Sequence, residues 1–181
     1  MSNLNEYLNQ KHFAMKERDA RHARGELLPM PLAAKVTAEG RSGIRHIRIR
    51  DHHILNDSPY DFAGYDLGPS SPETMMGVLG ACVVHICEMH AAALRIQLDS
   101  IEVEVTGSYD PRAGRPGFEQ VPYHPTDIQY VVNVSSPASS ATIKELFEAV
   151  EKTCPILNLL KHPQEVRATI NHTPTGAGRA A

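Results

Sequence analysis

The residues of this 181-residue chain most able to do chemistry are its three cysteines, Cys82, Cys87 and Cys154. Cys82 stands in the apolar run 75–84 (MMGVLGACVV) and shares helical spacing with Met75, Leu79, Ile86, Met89 and Ala93, so it falls on an apolar helix face. A free cysteine on such a face most often packs as a small hydrophobe. Cys154 is placed differently. Pro155 suits the first position of a helix, which puts Cys154 at the cap, where unpaired N–H groups and the helix dipole favour a thiolate. For Cys154 a reactive and an inert thiol are equally open. Cys87 lies five residues past Cys82, about 500° around a helix, and reads as filler on a second buried surface.

The ten histidines raise the question of a metal. His85 follows Cys82 by three residues and His90 follows Cys87 by three, a spacing compatible with ligation on a helix. There is no CxxC and no HExxH, and His52, His53, His124, His162 and His172 are scattered, so no metal site is expected. The nucleophile elbow GxSxG is absent, as are GxGxxG and GxxxxGK[ST], so neither a serine hydrolase nor a nucleotide cofactor is expected. Arg41, in Gly-Arg-Ser-Gly, reads first as a solvated turn residue. Glu73 reads as a carboxylate at the positive end of a helix. Arg45 alternates with Ile47 and Ile49 and so shares their face.

Several elements must position these residues. Residues 3–24 read as a surface helix with a short stripe of Leu4, Tyr7 and Leu8, forming an N-terminal arm over 1–30. LAAKVTAE and IRHIRIR read as two strands of a hairpin turning through Gly40-Arg41-Ser42-Gly43. A polar linker leads to the longest helix, about residues 72–95, announced by Ser70 or Ser71 as cap, by Pro72 and by Glu73. IEVEVT (101–106) and the alternation of Ile128, Tyr130, Val132 and Val134 mark two more strands. The long Pro/Gly-rich loop between them, 110–126, is of a kind more often functional than decorative. A helix over about 140–152, a short turn ILNLL, and a last strand VRATI (166–170) complete a domain over 31–173. The final residues, 174–181, read as a tail. Strands and helices in blocks, without βαβ alternation, imply an α+β fold with antiparallel sheet.

Composition bounds the function. With 18 basic against 21 acidic residues the net charge is −3, which argues against nucleic acid or an anionic membrane as the main partner. Three cysteines do not make a secreted disulfide framework and fit a reducing compartment. The N-terminus lacks a secretory apolar run, and the segment 75–84 is half of the about 20 residues that a membrane span needs. A cytoplasmic location is the expectation.

Together, GYDLGPSSPETMMGVLGACVVHICEMHAAAL (64–94), IEVEV (101–105) and EKTCPILNLL (151–160) resemble the OsmC/Ohr family of thiol-dependent peroxidases and their relatives. The resemblance spans about residues 32–171, with the two cysteine motifs in the family's order and 72 residues apart. It implies antiparallel sheets packed with two long central helices, and an intertwined homodimer with a site at each subunit interface. It assigns Cys82 as the peroxidatic cysteine and Cys154 as the resolving cysteine. Arg41 matches the arginine of the family's GRDG turn, and Glu73 the glutamate that pairs with it. Two departures stand out: Glu73 precedes Cys82 by nine residues rather than ten, and the arginine-rich strand leaves Arg45 as an alternative cation. The implied activity is reduction of organic hydroperoxides to alcohols through a Cys82 sulfenic acid and a Cys82–Cys154 disulfide, with a dithiol of the lipoyl type as reductant and no cofactor. Met75, Met76, Leu79 and Ile86 would line the substrate site, and their carbon favours bulky hydroperoxides. The alternative is a non-catalytic, small-molecule-binding or stress-response member of the same fold.

Overall fold

The computed structural model describes residues 4–174. Its helices are α1 (Leu4–Ala23), α2 (Ser71–Leu94), α3 (Ser140–Thr153) and α4 (Pro155–Lys161), and its strands β1 (Lys35–Ala38), β2 (Arg45–Ile49), β3 (His52–Asn56), β4 (Ser100–Ser108) and β5 (Thr126–Ser135). They form two antiparallel sheets, β1-β2-β3 and β4-β5. The expected α+β class is the one observed.

Helix α2 is the element on which the other helices pack. Its start follows the sequence signals: Ser70 is the N-cap, its side chain accepts from the Glu73 N–H, and Pro72 sits in the first turn. It ends at Arg95, which adopts a left-handed conformation. By length and composition α2 could cross a membrane, contrary to the expectation from the shorter apolar run. In this fold it instead packs against α1, α3, α4 and β4. Leu79, Val83 and Cys87 on α2 meet Leu146 and Val150 of α3 in the core, each at most 1% exposed. Burying each leucine or valine contributes about 1.5–3 kcal/mol. Opposite them, β4 and β5 turn Ile101, Val103, Val105, Ile128, Tyr130, Val132 and Val134 onto the same core, as their alternation predicts.

The arm α1 docks on α2 through buried Leu8 and through Lys11, whose Nζ lies 3.2 Å from Glu88 Oε2. The β1–β2 hairpin forms as expected, with Val36 opposite Ile47. Strand β3 was not expected. It follows β2 after only Arg50 and Asp51, with Arg50 at a φ of 56°. That left-handed turn usually calls for glycine or asparagine, so the sequence carries no sign of it.

The strand expected over 166–170 does not form. Residues 163–174 hold no regular structure, and Val166 and Ile170 are 91% and 90% exposed. A strand exists only against a neighbour, and among the described residues no edge receives this one. All but the first residue of the expected 174–181 tail lies outside the described residues.

Candidate active site

The fold brings Cys82 and Cys154 together. All three cysteines are free thiols. Cys154 is the N-cap of α4, as Pro155 predicted, and is fully buried. Its side chain lies within hydrogen-bonding reach of the half-buried Cys82, and the backbone N–H of Ile156 donates to the Cys82 sulfur. The Cys82 thiol titrates above its ordinary range. Burial is the main cause, the Ile156 N–H opposes it, and the Cys154 thiol adds to it. Among the described residues no cationic side chain acts on it. Burial, with Glu88 behind it, pushes Cys87 up to about 12, which leaves that thiol inert.

Other groups fix the place of Cys154. Tyr130 Oη on β5 donates to Glu151 Oε1 at 2.8 Å. Burial first, then Glu151 and more weakly Cys154, push the phenol up to about 12, so it stays a neutral donor. His90 Nε2 on α2 lies 2.8 Å from Thr153 Oγ1. The Thr153 hydroxyl already donates to Ala149 O at 2.8 Å, so His90 must be the donor. This bond ties the helix bearing Cys82 to the residue before Cys154. The Cys-x-x-His spacings hold nothing together: His85 Nδ1 faces Lys11 Nζ at 3.4 Å, and His90 serves Thr153. Among the described residues, no group of three or more His, Cys, Asp or Glu is arranged to hold a metal.

The remaining candidates lie elsewhere. Arg41 sits exposed at the tip of the β1–β2 turn, and among the described residues its guanidinium has no partner. Arg45 is committed. Its Nη1 donates to Gly43 O at 2.6 Å and Ser58 Oγ at 3.0 Å, and its Nη2 to Asp57 O at 2.8 Å. The buried Asp57 carboxylate in turn accepts the backbone N–H groups of Ser58, Tyr65 and Leu67 at 2.7, 3.0 and 3.2 Å. Burial is the largest single influence on Asp57 and would raise it, yet these donors and Arg45 together hold it below the usual carboxylate range.

Glu73 does not meet Arg41 within this chain. It closes a capping box, its Oε2 accepting from both the N–H and the hydroxyl of Ser70 at 2.7 Å, and these bonds lower its carboxyl. The signal was present as Ser-x-x-Glu over 70–73. Arg45 and Glu73 both face a hollow of about 600 Å³ beside Tyr109, but neither reaches Cys82 there. Of the four apolar residues expected to line a substrate site, Leu79 and Ile86 are 1% and 8% exposed and belong to the core. Met75 and Met76 are half-buried, and Met76 borders an open groove of about 620 Å³ between α2 and β4.

Residues 64–169 match the model of the OsmC-like protein family. The chain belongs to the OsmC-like family. A hydroperoxide reductase of Mycoplasma pneumoniae is 28% identical over 101 residues, 55% of this chain and 67% of that protein. The crystal structure of an OsmC-like protein from Mycoplasma pneumoniae superposes with a TM-score of 0.64 at 21% identity, covering 75% of this chain and 91% of the other. An organic hydroperoxide resistance protein from Elizabethkingia anophelis gives a TM-score of 0.55 at 12% identity, covering 75% and 91%. These likenesses establish the OsmC-like fold, in a family that includes organic hydroperoxide resistance proteins.

Proposed function

We propose that this OsmC-like protein is a thiol-dependent peroxidase that reduces organic hydroperoxides to alcohols in defence against oxidative stress. The observation that carries the reading is the placement of the Cys154 thiol against Cys82 with the Ile156 N–H on the same sulfur. In the reaction, the Cys82 thiolate attacks the distal peroxide oxygen. The O–O bond breaks, the alkoxide leaves with a proton as alcohol, and Cys82 becomes a sulfenic acid. The Cys154 thiol then attacks the Cys82 sulfur, a disulfide forms and the hydroxyl departs as water. An external dithiol of the lipoyl type returns both cysteines to thiols.

The first step needs a cation, and none of the described residues brings one to Cys82 within its own chain. A guanidinium would favour the thiolate against burial and stabilise charge on the departing alkoxide. Arg41, unpartnered at an exposed tip, fits that role from a second copy, so we place the active site at the interface of a homodimer. The unpaired segment 163–174 and the exposed Val78 on α2 support such a partner. Glu73 would orient Arg41 only by giving up part of its capping box. Three free thiols, two of them needing reduction in each turnover, suit the cytoplasm.

The test is a mass-spectrometric thiol map of the reduced protein before and after one equivalent of cumene hydroperoxide. A rapid Cys82–Cys154 disulfide with Cys87 still free is expected. Unchanged thiols would overturn the peroxidase and leave a non-catalytic binding protein of the same fold.

A further inference from the structure

The last turn of α3 and the first turn of α4 meet at Cys154 without forming one continuous helix, and the junction has a hydrogen-bond deficit that can be counted. In a continuous helix the carbonyl of Glu151 would accept from residue 155 and that of Lys152 from residue 156. Residue 155 is proline and has no N–H. The N–H of Ile156 is directed to the Cys82 sulfur instead. Both carbonyls therefore lose their ordinary donors, one to the proline and one to the site.

The side chain of Asn158 supplies the replacement. Its Nδ2 lies 3.3 Å from Glu151 O, 3.3 Å from Lys152 O and 2.8 Å from Cys154 O. The backbone N–H of Asn158 also donates to Cys154 O at 3.0 Å. The two N–H bonds of this amide are shared among three carbonyls, the two that Pro155 and Ile156 leave open and that of Cys154, which it approaches most closely.

We propose that Asn158 is a positioning residue for the thiol pair: by occupying the Glu151 and Lys152 carbonyls, it frees the Ile156 N–H for Cys82 and holds the Cys154 thiol beside it. Without that amide, the Lys152 carbonyl draws the Ile156 N–H back toward α3. Cys82 then loses the one donor that opposes its burial, and the geometry for disulfide closure loosens. Asn158 touches neither sulfur, so it acts through the backbone. The inference rests on the reading of Cys82 and Cys154 as a redox pair, and its test does not depend on peroxide turnover.

The experiment uses the full chain and Asn158→Leu, which keeps the branching at Cγ, adds no charge and removes the donor. Two quantities are read: the pH midpoint of Cys82 alkylation by iodoacetamide, resolved by peptide mass, and the Cys82–Cys154 disulfide equilibrium in glutathione buffers. The expected result is an upward shift of the midpoint that slows Cys82 alkylation about threefold at neutral pH. The disulfide equilibrium constant should fall about tenfold, equivalent to about 30 mV. A purely structural role would lower the melting temperature and leave the alkylation midpoint in place. An unchanged midpoint and an unchanged equilibrium overturn the proposal. If Asn158→Leu does not fold, Asn158→Ser, whose short hydroxyl cannot span to Glu151 and Lys152, is read by the same two numbers. If the parent protein forms no Cys82–Cys154 disulfide with either glutathione or diamide, the redox-pair reading fails, while the alkylation midpoint still decides the role of Asn158.

Discussion

The backbone N–H of Ile156 donates to the sulfur of Cys82, 74 positions away in sequence. Helix α4 thus spends its unpaired amide on the other thiol of the pair rather than on its own capping cysteine. The cap residue Cys154 makes no side-chain capping bond. Helix α4 and its cap therefore contribute two things to Cys82, a partner sulfur from Cys154 and a hydrogen-bond donor from Ile156, two positions apart in one turn.

This arrangement predicts a graded reactivity of the thiols. Burial raises Cys82 above the ordinary thiol range, and the Ile156 N–H limits the rise. Cys87 is pushed up to about 12 with no donor to oppose it. Alkylation should therefore label Cys82 faster than Cys87 at every pH up to about 10, with both rates climbing as pH rises because the thiolate is the nucleophile. Equal labelling of the two in the folded protein would remove Cys82 from its assigned role.

The two cysteines of the pair should fail differently when replaced. Cys82→Ser removes the sulfur that attacks, and peroxide consumption should fall to the buffer rate. Cys154→Ser leaves the attack intact and removes the resolving thiol, so a sulfenic acid should persist on Cys82 after one equivalent of peroxide. Trapping with dimedone followed by mass spectrometry distinguishes them. A Cys82→Ser protein that still turns over cumene hydroperoxide is the result that ends the mechanism.

The two candidate arginines separate by measurement of stability and rate together. Arg45 donates to two backbone carbonyls and to Ser58, so Arg45→Ala leaves buried acceptors unpaired. A loss of about 1–3 kcal/mol in urea unfolding is expected. Arg41 is exposed and has no partner among the described residues, so Arg41→Ala should melt like the parent. If Arg41 from a second copy stabilises the thiolate and the alkoxide, that variant should nonetheless lose about 10²–10³-fold in the peroxide step. A stable Arg41→Ala protein with the parent's rate would move the cation elsewhere.

How much of this could be read from sequence depended on whether the deciding signal was local. The start of α2 was legible because Ser70, Pro72 and Glu73 act within one turn, and the cap at Cys154 because Pro155 has only a few places to sit. Glu73 carries two roles in one spacing. Its Ser-x-x-Glu spacing already offered a capping box, a local partner that competes with any arginine. Strand β3 was missed because its turn uses Arg50 with a positive φ instead of glycine. The strand over 166–170 has the right alternation and no neighbour, which alternation cannot report. The Ile156 amide and Asn158 were invisible as functional groups, since backbone donors leave no mark in residue types. A trace did exist: a proline at 155 predicts an orphan carbonyl at 151, and an asparagine one turn on is a ready donor.

The loop that follows β3 supplies the last prediction, in acid. Asp57 is 0% exposed, and despite burial its carboxyl is held below the usual range by the N–H groups of Ser58, Leu67 and Tyr65 and by Arg45. A carboxyl lowered on folding contributes stability that is fully present above its unfolded value, about pH 4, and is lost as pH falls through the folded value below that. The loop also has no room to rearrange: a Cβ on Gly64 would stand 1.8 Å from the Ser58 carbonyl oxygen. Asp57→Asn presents an amide N–H to donors that need an acceptor, so it should be destabilised at about pH 7. Because the variant cannot titrate at this position, the gap between it and the parent should narrow as the pH drops below about 4. Urea midpoints of both proteins across that range check the sign. A gap that stays constant down to about pH 2 would mean that the Asp57 carboxylate is not what anchors the loop.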